Sequence, residues 1–89
     1  MRIKNGFILR KIADQYMAVP VGSRTRELHG MIAMNETAAF LWERMSADCT
    51  EEELSQALLD TYEIDEDKSK EVVQRFINML NTEGVLEDA

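Results

Sequence analysis

Eighty-nine residues, 45% of them hydrophobic and 30% charged, suit one domain with a thin core, because a chain of this size buries only about 60–65% of its unfolded surface. That composition excludes a disordered polar chain, since the apolar residues offset the entropy of ordering, and no run approaches the roughly 20 apolar residues that span a bilayer. The net charge of −7 is uneven: residues 1–30 carry six Lys/Arg against two acids, and residues 31–89 carry four against fifteen, a balance that disfavours phosphate backbones as partners.

In chain order, Arg2, Lys4, Asn5 and Gly6 precede only the short apolar Phe7-Ile8-Leu9, so this start does not read as a signal peptide. With a single cysteine, Cys49, and no Cys or His at ligand spacing beside it, the chain is expected in a reducing, cytoplasmic compartment. Phe7 to Ile12 and Gln15 to Pro20 read as two strands of a hairpin turning at Ala13-Asp14, with Pro20 at a strand end or on an edge. Val21 to Glu27 reads as a polar loop. Leu28 to Met34 reads as a third strand, with Leu28, Ile32 and Met34 on one face and His29, Met31 and Ala33 on the other.

At Asn35 the period changes. Its side chain suits an N-cap, and the first helix is expected from about Glu36 to Ser46, with Ala39, Phe40, Trp42 and Met45 giving it a broad apolar surface. Thr50 and Glu53 have the spacing of a capping box for a second helix carrying Leu54, Ala57 and Leu58. Asp65 caps a third, from about Glu66 to Thr82, which Gly84 ends in a left-handed conformation; Val85 and Leu86 then fold back over its end. The expectation is a single α+β domain over residues 1–89, with three antiparallel strands followed by three helices.

Catalysis needs a nucleophile with a base, carboxylates with separated pKa values, or a metal cluster. The one histidine, His29, falls on a strand and Cys49 in a turn, with nothing linking them, and no glycine motif for phosphate is present. No enzyme, metal or cofactor is expected. Two features stand out instead. At 100° per residue, Met79, Val72, Phe76, Leu80, Val73 and Ile77 span an arc of about 160°, wider than the roughly 100° stripe that one packed face requires, so one side of the third helix extends beyond the core. The third strand runs straight into the first helix, and a free edge there would accept an extended peptide.

The run Met31-Ile32-Ala33-Met34-Asn35-Glu36-Thr37-Ala38-Ala39-Phe40-Leu41-Trp42-Glu43 resembles the PqqD family, whose members carry a hydrophobic strand, Leu-Asn-Glu-Thr and an aromatic helix with tryptophan. The similarity continues in Gly30, Val19-Pro20-Val21-Gly22, the Thr-x-x-Glu-Leu start at Thr50, Tyr62-Glu63-Ile64-Asp65 and Gly84-Val85-Leu86-Glu87. Met34 stands where leucine is more usual, a volume-conserving change. The resemblance implies a winged-helix-like fold used as a recognition element in making ribosomally synthesised, modified peptides. Such a module binds the leader of a precursor peptide as an added strand and presents it to a modifying enzyme, often a radical SAM protein, without catalysis of its own. Carried onto this chain, the groove is walled by His29, Met31 and Ala33 with the backbone of Gly30 and Ile32, and by Val72, Phe76 and Met79. Lys68 and Arg75 stand on the same side to meet acidic leader side chains.

Two other readings stay open at this level. In a winged-helix nucleic-acid binder, Arg24 and Arg26 would form the wing, but Glu51, Glu52, Glu53 and Asp60 load the middle helix with negative charge. In a homodimer, strand edges would pair between chains.

Overall fold

The computed structural model describes residues 1–22 and 31–87. The expected hairpin forms with the expected bounds: β2 (Phe7–Ile12) pairs with β3 (Gln15–Pro20) antiparallel, from Phe7 opposite Pro20 to Ile12 opposite Gln15. That register leaves a two-residue connection, and such tight turns need positive φ, which Ala13 supplies at 56°. β4 (Ile32–Met34) joins the other side of β3, with Tyr16 opposite Met34 and Ala18 opposite Ile32. The strand order is therefore β2-β3-β4. The expected third strand began at Leu28; residues 28–30 lie outside the described residues, and Met31 precedes the strand.

Three helices follow, α1 (Glu36–Arg44), α2 (Glu51–Thr61) and α3 (Glu66–Glu83), which makes the fold the expected α+β arrangement. Each starts where a short polar side chain can satisfy orphan N–H groups. The Asn35 side chain accepts from the Ala38 N–H at 2.8 Å and that of Asp65 from the Lys68 N–H at 2.7 Å, while Thr50 and Glu53 close a reciprocal capping box. Gly84, at φ 71°, ends α3 in the left-handed region. α1 stops two residues before the expected Ser46, because the chain turns at Met45 to bury that side chain completely.

The helices pack on one face of the three-stranded sheet. Ala18, Ile32 and Met34 from the strands meet Leu41, Trp42 and Met45 of α1 and its C-cap, Leu54 and Leu58 of α2, and Val73, Phe76, Ile77 and Leu80 of α3. The Phe7 ring stands edge-on to Trp42 at 5.6 Å, which ties β2 to α1. Between α2 and α3 the buried hydroxyls of Ser55 and Ser69 bond to each other, so this close helix contact leaves no buried side-chain polar atom unpaired among the described residues.

A two-stranded pair absent from the sequence expectation joins the chain ends. β1 (Arg2–Ile3) lies antiparallel to β5 (Leu86–Glu87), and Ile3 N–H donates to Met45 O at 3.0 Å while Lys4 N–H donates to Val85 O at 2.9 Å. Val85 is buried, so the expected fold-back after Gly84 occurs. It does so as a strand.

Candidate functional site

Between β4, the start of α1 and the length of α3 lies an open groove of about 470 Å³, lined by Ala33, Met34, Asn35, Thr37, Ala38, Leu41, Lys68, Val72, Arg75, Phe76 and Met79. Its formation follows from local sequence. β4 passes through the single residue Asn35 into α1, so the cap that starts the helix also brings Thr37 and Ala38 beside the end of the strand. Leu41 and Phe76 are buried and form the floor. Val72 and Met79, one turn to either side of Phe76, are only half-buried, as the wide apolar arc of α3 required. Lys68 and Arg75 stand exposed at the rim.

β4 bonds to β3 on one side, and among the described residues no strand bonds to its other side. On such an edge alternate residues direct N–H and C=O groups away from the sheet, a row that an extended segment can satisfy.

Of the residues singled out from sequence, Lys68, Val72, Arg75, Phe76 and Met79 come together in this groove, and Ala33 borders it at the strand edge. The Ala33 side chain faces away from the helices, because its neighbours Ile32 and Met34 turn into the core, so it does not wall the groove as expected. Ile32 contributes backbone to the strand while its side chain enters the core, as the alternation required. Met31 does not line the groove: it is 54% exposed, one residue ahead of β4. His29 and Gly30 lie outside the described residues. Met34, Asn35, Thr37, Ala38 and Leu41 line the groove but were not expected to. Sequence reading assigned the start of α1 to capping and core, and the signal available was that a helix beginning one residue after an edge strand must stand beside that edge.

The rim electrostatics add a residue that periodicity did not single out. Glu71 pairs with Lys68 at 3.9 Å and with Arg75 one turn further on, so both cations already hold a carboxylate. All three side chains are about half exposed or more, and such pairs are worth ~0.2–1 kcal/mol. They yield readily to a better-placed anion.

Among the described residues the lining contains no carboxylate, thiol or imidazole, and no cluster of metal-ligating side chains occurs. The Cys49 thiol donates to the Arg44 carbonyl at 3.0 Å, and burial, with Glu53 and Asp48 nearby, pushes its pKa up. Such a thiol is a poor nucleophile. What the groove offers is an apolar trough, an open strand edge and a cationic rim, which suit binding of an extended segment. No helix among the described residues is long and apolar enough to cross a membrane.

Comparison with known proteins agrees with this geometry. No curated protein sequence matches the chain. Among solved structures, TbiB1 in complex with the TbiA(beta) leader peptide is similar with a TM-score of 0.76 at 16% identity, over 100% of this chain and 98% of that one, a likeness of fold. The family model described as Coenzyme PQQ synthesis protein D (PqqD) matches residues 15–86, from the start of β3 to β5, and the chain therefore belongs to the PqqD family.

Proposed function

We propose that this chain is a peptide-recognition module that binds the leader of a ribosomally made precursor peptide as an additional strand on β4 and presents it to a modifying enzyme. The observation that carries the reading is the open edge of β4 bordering an apolar groove against α3. In strand addition, main-chain hydrogen bonds supply affinity and side-chain pockets supply specificity, while ordering of the free peptide opposes both. The groove supplies such a pocket between Val72 and Met79, and Lys68 and Arg75 supply cations for acidic leader residues. TbiB1, which shares the fold, is seen with a leader peptide bound, and that supports the same use here.

In this reading the module acts as a cytoplasmic chaperone without chemistry of its own, and its enzyme partner is of the radical SAM class. The nucleic-acid alternative gains nothing from the structure, since Glu51, Glu52 and Glu53 occupy the first turn of α2. Titration of the labelled protein with a synthetic leader peptide from its candidate precursor tests the proposal. Amide signals of residues 31–34 and 68–79 are expected to shift, and shifts confined to α2 would contradict it.

A further inference from the structure

The three-stranded sheet has a second face, and it is apolar. In the observed register Ile8 lies opposite Val19, Arg10 opposite Met17, Ile12 opposite Gln15, and Met17 opposite Ala33. These residues point away from the helices, because the alternate set, with Ala18, Ile32 and Met34, is buried in the core. Val21, whose N–H donates to Gly6 O at 2.9 Å, extends the hairpin pairing one residue past β3, and Met31 immediately precedes β4. Of the large hydrophobic residues exposed among the described residues, Ile8 at 41% and Ile12 at 51% lie on this face, and Val21 at 37% and Met31 at 54% stand one residue beyond its strands. A contiguous apolar surface of this kind marks an interaction site, whereas scattered exposed residues need no explanation.

We infer that this outer sheet face is the docking surface for the peptide-modifying enzyme, which meets it with an apolar patch edged by carboxylates. Charge decides the occupant. In a protein of net charge −7, the face carries Arg10 at its centre, between Ile8 and Ile12 and across from Met17, and none of the residues paired on it is acidic. A second copy docked face to face would set Arg10 against a face whose paired residues carry no carboxylate, a costly arrangement. A partner surface with acidic residues around an apolar centre meets both features.

The face is also continuous with the leader site, and here the inference rests on the strand-addition reading. A leader added to β4 becomes the fourth strand of the same sheet, so its alternate side chains stand level with Ala33, Met17 and Arg10. Two strands of six residues and one of three cover at most about 14 by 20 Å, small beside the ~800 Å² per partner of a standard interface. The bound leader widens that surface, and enzyme and leader should therefore strengthen each other's binding reciprocally.

The test uses the full chain with a synthetic leader peptide and the purified radical SAM enzyme of the proposed pathway, measuring enzyme affinity with and without leader, and leader affinity separately. The wild-type protein should bind enzyme at least tenfold more tightly once leader is bound. The double variant Ile8→Asp/Ile12→Asp should lose at least tenfold in enzyme affinity and hold its leader affinity within twofold. Arg10→Glu should do the same while Arg10→Lys retains most of the binding; this pair keeps the test decisive if the double variant melts. Unchanged enzyme affinity in both variants overturns the inference. So does a wild-type dimer in sedimentation that Ile8→Asp dissociates, which would give the face to a second copy. A wild-type protein that ignores the leader yet loses enzyme in the variants would sink strand addition and leave the docking face standing.

Discussion

The sheet has two outer edges, and they differ in what they invite. β2 is the longer edge, six residues against three for β4, so by length alone it offers more unpaired backbone. Yet it carries Arg10 and Lys11, both exposed, with the Lys11 ammonium set over the Tyr16 ring at 5.6 Å. Charged side chains on an edge strand are a common defence against unwanted pairing. β4 carries no charge, and its edge opens onto a trough with a buried floor rather than onto solvent. Length sets how many hydrogen bonds an edge can make, but side chains and neighbours decide whether a peptide is held there.

The largest expected effect comes from spoiling the trough beside β4. Val72→Glu places a carboxylate against Phe76 and Met79, and leader affinity measured by fluorescence anisotropy should fall tenfold or more, about 1.4 kcal/mol at least. Arg10→Glu, at the other edge, should leave it unchanged. Proline at Met31 removes a donor beside the open edge and should weaken leader binding several-fold; the same replacement at Val21, beyond the end of β3, should not.

A smaller effect sharpens the comparison through the cap that links strand to helix. Asn35→Ala removes the acceptor for the Ala38 N–H and should cost ~1 kcal/mol in denaturant unfolding, with some loss of leader affinity because Thr37 and Ala38 line the groove. The smallest effects concern the rim. Lys68→Ala should weaken an acidic leader mildly and mainly at low salt, whereas Glu71→Gln, which frees both Lys68 and Arg75, should strengthen it about as mildly.

Much of this was legible in the sequence because the signals were local. Alternation over six residues set β2 and β3, and Asn35, Thr50, Asp65 and Gly84 marked helix ends by the hydrogen bonds that their side chains or conformation allow. The over-wide arc of α3 pointed to Val72 and Met79 as residues beyond the core, and both are half-buried in the groove. What sequence concealed depends on long-range contact. Two-residue strands show no alternation, so β1 and β5 were invisible until Ile3 met the Met45 carbonyl and Lys4 that of Val85. Likewise Thr37 carries no sign of a groove until α1 is set beside α3. Glu71 was readable from its spacing to Lys68 and Arg75, but apolar periodicity passes over a charged residue.

Hydrogen exchange at the two edges tests the central claim most directly. With the leader of the precursor peptide bound, amides of residues 31–34 should gain protection while those of Phe7–Ile12 exchange as in the free protein. Protection appearing along β2, or at neither edge despite binding, would contradict the account.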